Sequence, residues 1–302
     1  MKDRWQFNRQ SCIEIRLMGG LGNQLFILIF ATLLARTRPS QLVRLEVSEI
    51  YKQLHKSSIF NLALDEFLGP WPCNLQVFLS NSRVLPFRDF VEVHLCNHAF
   101  LSIEEIGYSL SVRDVLEVSP RVLRGYFQTY IFKDELSLLG SPLNIVPKVQ
   151  SEEFRQLSEL FSREDIGVVH IRRGDYMGNR ETIGVLDMKY FITGVRLLED
   201  KGIKQFYVAS DDQDIYSLMK ESIDKASLLT FPKSLSDEET ISLMSSSRGI
   251  VLSNSTFSYW AAYSGIPKQI VRPTKWFRNL TDPNFLFPPL SRFESEIESV
   301  WY

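Results

Sequence analysis

The chain has 302 residues, with 34 Lys and Arg against 36 Asp and Glu and a formal net charge of −2. At 44% hydrophobic and 23% charged it can bury a sizeable core, which excludes a disordered, collagen-like or coiled-coil chain. The near-neutral balance also excludes a protein that coats nucleic acid, because that needs a surplus of phosphate-neutralising Lys and Arg.

Residues 1–11 read as a polar tail. Ile13 to Met18 then alternates apolar and charged side chains, the pattern of a strand, and Gly19-Gly20-Leu21-Gly22-Asn23 follows as a turn. An apolar helix is expected from Gln24 to Arg36 and a second strand from Leu42 to Val47, which makes a β-turn-α-β unit of a parallel sheet. The apolar run in that helix falls short of the roughly 20 residues that cross a bilayer. Glu14 and Arg16 ahead of it do not fit a signal peptide. Residues 50–150 are less regular, punctuated by Pro70, Pro72, Pro86, Pro120, Pro142 and Pro147, with one strand expected over Arg121–Phe127. Cys12, Cys73 and Cys96 are scattered, with neither disulfide nor metal spacing, and favour a reducing compartment. His94 and His98 stand at i, i+4 but have no third ligand.

Beyond Pro147 the pattern becomes regular. Ser151 opens an amphipathic helix to Phe161, and strand Ile166–Ile171 and helix Met188–Asp200 follow. Strand Gln205–Ala209, helix Asp214–Glu221, strand Ala226–Phe231 and helix Glu238–Ser246 continue the alternation. Strand Gly249–Leu252 and helix Phe257–Ser264 close it. Two doubly wound α/β domains are expected, 12–150 and 151–302, with small-ligand chemistry in a cleft between them.

Four strand ends carry polar clusters. His170-Ile171-Arg172-Arg173-Gly174-Asp175-Tyr176 puts His170 and Arg172 on one face of a strand end. Guanidinium forks match phosphate oxygens, and Asp175 could orient an arginine or act as a base. A buried Arg–Asp structural pair is the alternative. The glycines of Gly19 to Gln24 allow either a tight turn or a close approach of backbone to an anion. With Glu46 after the second strand they also raise a dinucleotide-binding reading, although the third glycine of that fingerprint is missing. Ser253-Asn254-Ser255-Thr256 offers donors to a phosphate or simply caps a helix. Asp212-Gln213-Asp214 fits a metal-holding D-x-D pattern, or complements a helix dipole. Asn254-Ser255-Thr256 and Asn279-Leu280-Thr281 match glycosylation sequons, which carry little weight without a secretory signal.

Gly19 to Phe26, Gly125-Tyr126-Phe127-Gln128, His170 to Tyr176, Ser210-Asp211-Asp212 and Asn254 to Ala261 together resemble, in order, the motifs of the α-1,2-fucosyltransferases, glycosyltransferase family eleven. The resemblance covers residues 13 to 277 and implies a GT-B-like fold of two Rossmann-like halves. It implies an inverting, metal-independent transfer of L-fucose from GDP-fucose to the 2-hydroxyl of a terminal β-galactoside, the acceptor lying on the N-terminal half and the donor on the C-terminal half. In its terms Gly20, Gly22, Asn23, His170, Arg172, Arg173, Asp211, Asn254, Ser255 and Thr256 hold the donor. Arg172 and Asn23 also act in the chemical step, and Asp175 or Glu181 is the base. Where the family carries an aspartate near Thr240 this chain does not, so Glu239 or Asp237 takes the guanine contact. The lack of a leader or anchor in these residues resembles bacterial members, which implies a cytoplasmic enzyme, peripheral at the inner membrane. An NAD-linked oxidoreductase and a non-enzymatic glycan-binding module are the competing readings.

Overall fold

A computed structural model describes residues 12–48, 50, 57–78, 90–92, 122–128, 143–212, 214–223, 227–265, 268–279 and 290–302. His94, Cys96, His98, Arg121, Gln213, Ala226, Leu280 and Thr281 lie outside the described residues. The chain divides into two units, Met1–Ser58 with Leu68–Ser141, and Ile59–Phe67 with Pro142–Tyr302.

In the first unit β1 (Cys12–Arg16), β2 (Leu42–Glu46), β3 (Leu75–Phe78), β4 (Phe90–Glu92) and β5 (Val122–Arg124) form a sheet of order β3-β2-β1-β5-β4. Every pairing in it is parallel. Helix α1 (Leu21–Thr37) connects β1 to β2. It is buried along nearly its whole length, as expected of a helix that is apolar all round. It begins three residues before the expected Gln24. Gly20 is its N-cap and Gly22 and Asn23 already lie in its first turn, so the sharp bend is confined to Gly19, at φ +77°.

In the second unit β6 (Ile166–Ile171), β7 (Gln205–Ser210), β8 (Ser227–Thr230), β9 (Gly249–Val251), β10 (Gln269–Pro273) and β11 (Glu294–Ile297) form an all-parallel sheet of order β11-β10-β9-β6-β7-β8. The short helix α2 (Leu64–Leu68) is followed along the chain by α3 (Glu152–Arg163), α4 (Met188–Asp200), α5 (Ile215–Ser222), α6 (Asp237–Ser246) and α7 (Thr256–Tyr263). Caps account for the agreement of these boundaries with the sequence. Ser151 accepts from the Phe154 N–H, Asp187 from Lys189, and Ser236 closes a capping box with Glu239. The core between sheet and helices includes Val169, Ile171, Tyr190, Phe191, Val195, Phe206, Ile215 and Val251. Gly194 of α4 lets the helix close on the sheet, since a Cβ there would stand 2.6 Å from Val251.

The division falls at 141/142 rather than 150/151, and residues 59–67 belong to the second unit despite their place in the sequence. Backbone bonds carry that assignment: Ala63 N–H donates to Val146 O at 2.7 Å, Lys148 N–H to Asn61 O at 2.7 Å, and Leu62 bridges to Pro147. Among the described residues no helix is long and apolar enough to cross a membrane.

Candidate active site

Strands β7 and β8 extend the second sheet to one side of β6, and β9, β10 and β11 to the other. The strand order therefore reverses between β6 and β9, and ligands of open α/β sheets bind at the carboxyl ends flanking such a reversal. Arg172 and Arg173 follow β6 directly, Asp211 and Asp212 follow β7, and Ser253–Thr256 follow β9. Three of the four clusters singled out from the sequence thus meet at one edge.

Asp211 ties that edge together. Its carboxylate accepts the Arg173 backbone N–H at 2.8 Å and faces Arg172 Nη1 at 3.0 Å. A Cβ at Gly174 would come within 2.5 Å of Asp211 Oδ2, so the glycine makes room for this bond. Arg172 Nη2 also donates to Asp175 at 2.7 Å, its guanidinium lies 5.6 Å from the centre of the Tyr176 ring, and its N–H reaches the Ser253 hydroxyl at 3.3 Å. Arg173 faces away from this pair. Its Nε is 3.6 Å from Asp212, and the Tyr302 ring covers its guanidinium at 4.7 Å. Each arginine is thus backed by carboxylate and by an aromatic ring, which sets its fork before any ligand arrives.

His170 is buried beside the Phe257 ring and its Nδ1 has no hydrogen-bond partner. Burial, and then the Arg172 charge, push its pKa down to about 3, so it is neutral at physiological pH. Tyr176 donates to Asn254 O at 3.2 Å, and burial raises its pKa to about 12 against the opposing pull of Arg172. Ser255 is the N-cap of α7 and accepts the Phe257 N–H, with Thr256 in the first turn.

Other expected contacts have different surroundings. Asn254 is fully buried, and its amide nitrogen donates to the carbonyls of Ile183, Gly184 and Trp276 at 3.1–3.3 Å. Its side chain braces the loop after Arg173 and has no donor left for a ligand. Glu239 receives the Ser151 N–H at 2.6 Å and the Ser236 N–H at 2.9 Å. Burial alone would raise its pKa, but these bonds outweigh it and hold the carboxylate below its ordinary range. Glu239 therefore serves as a helix cap, and nothing in its surroundings marks a guanine contact. Glu181 is largely exposed between Arg180 at 3.6 Å and Arg278 at 3.8 Å. Asp212 is engaged by Arg173 and caps the Asp214 N–H. Among the described residues no group of three or more His, Cys, Asp or Glu is placed to hold a metal ion.

The first unit has its own reversal, between β1 and β5. There Gln128 donates to Asn23 Oδ1 at 3.0 Å, joining the glycine-rich turn to the Gly125–Gln128 motif. A Cβ on Gly19 would stand 2.8 Å from Asn23 and 3.1 Å from Tyr126, whereas one on Gly20 would meet open space. Gln24, wholly buried, anchors the turn through the Gly19 and Ser57 carbonyls. Glu46, proposed for a ribose in the dinucleotide reading, is buried and bonded to Ser48.

Sequence reasoning missed Tyr302 over Arg173 and the Asp212–Arg173 pair. The aromatic doublet Trp301-Tyr302 is the visible signal for the first, and the reading of Asp212 as part of a metal-holding or dipole-complementing Asp212-Gln213-Asp214 hid the second.

A family model described as glycosyl transferase family 11 matches residues 12–276. An α-1,2-colitosyltransferase of Escherichia coli is 28% identical over 284 residues, covering 88% of this chain and 93% of its own length. The E. coli O-antigen biosynthesis glycosyltransferase WbnK is 25% identical over 299 residues, covering 86% and 93%. Among solved structures, POFUT1 in complex with GDP-fucose superposes with a TM-score of 0.51 at 12% identity, covering 87% of this chain and 98% of that one. POFUT1 in complex with GDP gives 0.50 at 11% identity, with the same coverage. At such identities the likeness concerns the fold, and it agrees with the GT-B-like pair of Rossmann-like units expected from the sequence.

Proposed function

The chain belongs to glycosyl transferase family 11, and from that premise we propose that it moves L-fucose from GDP-fucose to the 2-hydroxyl of a terminal β-galactoside. The observation that carries the donor class is the pair of pre-set arginines at the β6–β9 reversal, beside the hydroxyl-rich start of α7. Two guanidinium groups and a helix N-terminus answer the charge of a diphosphate. The names of the E. coli relative and of the POFUT1 complex support a 6-deoxyhexose on that diphosphate.

In the reaction the acceptor 2-hydroxyl attacks the anomeric carbon as the bond to the β-phosphate breaks, and the configuration inverts. Negative charge grows on the departing GDP, and Arg172 stabilises it more in the transition state than in the ground state. Arg173 and the Ser255–Thr256 helix start hold the remaining phosphate oxygens. The hydroxyl proton passes to a carboxylate within hydrogen-bond reach, with Asp175 the first choice and Glu181 the second. Neutral His170 packs behind Arg172 and adds no charge that opposes it. Asn23, Gly20 and Gly22 enter this reading through the resemblance of their motif alone. No metal is assigned, because the arginines already answer the diphosphate. The enzyme is further assigned to the cytoplasm, where nucleotide sugars are made.

Titration with GDP and with NAD separates this reading from an oxidoreductase, since only the cognate ligand raises the melting temperature. An acceptor array with labelled GDP-fucose, with and without EDTA, identifies the linkage. Activity lost to EDTA and restored by Mn²⁺ overturns the metal-free mechanism, and no turnover with any acceptor leaves a binding module. The name of the E. coli relative favours a second donor, colitose, the 3-deoxy counterpart of fucose. A site that hydrogen-bonds the 3-hydroxyl would strongly reject it, so kcat/KM for the two GDP-sugars decides between them.

A further inference from the structure

Tyr302 lies outside the residues matched by the family model, yet its ring stands over the guanidinium of Arg173 at 4.7 Å. Its position is fixed by main chain. Asp187 N–H donates to Val300 O at 2.7 Å, Tyr302 N–H donates to Val185 O at 2.8 Å, and Leu186 bridges to Trp301. Trp301 fills the space over Gly184, where a Cβ would come within 2.5 Å of its ring, and Arg278 Nη1 donates to the Tyr302 carbonyl oxygen at 3.4 Å. Residues 300–302 therefore form a clip on the loop that leaves Arg173.

Arg173 needs such a clip. Its side chain is only 13% exposed, its Nε is buried without a hydrogen-bond partner, and its nearest carboxylate, Asp212, stands at 3.6 Å. A guanidinium held this loosely by polar partners depends on the ring for part of its orientation, through attraction to the face of the aromatic system. Tyr302 itself is 54% exposed and is not part of the hydrophobic core cluster, so its ring contributes less to the core than a buried aromatic would.

We propose that Tyr302 is a positioning residue that holds Arg173 ready for the diphosphate of a nucleotide-sugar donor. The inference rests on the donor class proposed above and extends it to a residue outside the shared motifs. It divides the arginines by their support: Arg172 is set by two carboxylates and a ring within the motif, and Arg173 by one distant carboxylate and the 300–302 clip.

The test is calorimetric titration of GDP into the full chain and its variants, with steady-state kinetics on GDP-fucose. Tyr302→Ala is expected to weaken GDP about 3- to 10-fold and to raise the donor KM in step, with kcat little changed. Tyr302→Leu keeps apolar bulk without the ring, so it behaves like the alanine variant and serves if that one folds poorly. Tyr302→Phe recovers most of the affinity, because the ring face and not the hydroxyl makes the contact. In an Arg173→Ala background, removing the ring costs nothing further. GDP binding by Tyr302→Ala and Tyr302→Leu equal to the wild type overturns the positioning role and leaves the donor class standing, and so does strict additivity with Arg173→Ala. Failure of the wild-type chain to bind GDP overturns the donor class and the proposal with it.

Discussion

Arg172 stands between two carboxylates, Asp211 at 3.0 Å and Asp175 at 2.7 Å, that differ in exposure. Asp175 is two-thirds exposed and Asp211 one-quarter, so in the proposed reaction the donor phosphate would displace Asp175 at lower cost while Asp211 would keep the guanidinium aimed. A charge-assisted bond contributes about 1.5–3 kcal/mol, and Arg172→Ala should therefore lower kcat/KM roughly 10- to 100-fold or more. An unchanged value removes Arg172 from the transition state. In the proposed reaction, Asp175 displaced by the donor phosphate would be the carboxylate that takes the acceptor proton. Asp175→Asn is expected to depress kcat, with Glu181→Gln having the smaller effect because Arg180 and Arg278 already face it. Near-normal kcat in both variants at saturating donor removes a carboxylate of this loop from the proton transfer. His170 adds a dependence on pH. Its folded pKa of about 3 lies below the unfolded value near 6.5, so between these limits the unfolded chain binds the extra proton. Stability should fall as the pH drops through that window, by up to about 1.4 kcal/mol per unit from this group. Denaturant titrations at pH 7 and pH 5 should show a smaller loss in His170→Gln than in the wild type.

At the scale of elements, legibility followed capping and length. Strand β6 and helix α4 fall where the sequence puts them, because a continuous apolar run and the Asp187 cap leave no other boundary. The start of α1 departs from the expected Gln24 because Gly22 reads as a turn residue, whereas Gly20 already caps the helix and the buried Leu21 anchors it. Strands β3, β4, β10 and β11 carry no expectation from the sequence: β3 and β4 lie in the proline-punctuated stretch 50–150, and β10 and β11 follow the last regular strand–helix unit. The last of them, Glu-Ser-Glu-Ile, is an edge strand held by charge. Arg272 of β10 is buried against Glu294 at 3.3 Å and Glu296 at 2.8 Å, with the Tyr263 hydroxyl at 3.3 Å. The Tyr263 pKa is raised by burial and by Glu294. Replacing Arg272 by Met strands buried carboxylate, and should cost about 3–5 kcal/mol of stability. Urea unfolding measures this, and Glu294→Gln added to that variant should return part of the loss.

For the whole molecule, the site was legible where it was local and illegible where it depended on distant chain. The order of motifs pointed to two α/β units and to Arg172, but no periodicity marks residues 59–67 as part of the second unit. That segment joins through backbone bonds to residues 143–148, and backbone bonds leave no trace in side-chain pattern. Phe67 is fully buried and meets the Trp260 ring edge-on at 5.8 Å. Phe67→Ala should therefore weaken the unit that carries the arginines, although residue 67 lies far ahead of it in sequence. A loss of about 3–5 kcal/mol is expected, read as a lower urea unfolding midpoint, and an unchanged midpoint would show that the Phe67 side chain contributes nothing to that unit.

The placement of residues 59–67 also sets an order of events on the ribosome. Synthesis runs through them long before it reaches Pro147, so the nascent chain carries Phe67 and Leu62 with nothing to bury them while the rest of the first unit is still being made. Domains tend to fold as units as they emerge, and apolar surface left waiting is a hazard during that interval. A chain stalled at residue 141 would hold a first unit interrupted by an unpartnered apolar segment, and that intermediate is where chaperone dependence and aggregation should concentrate.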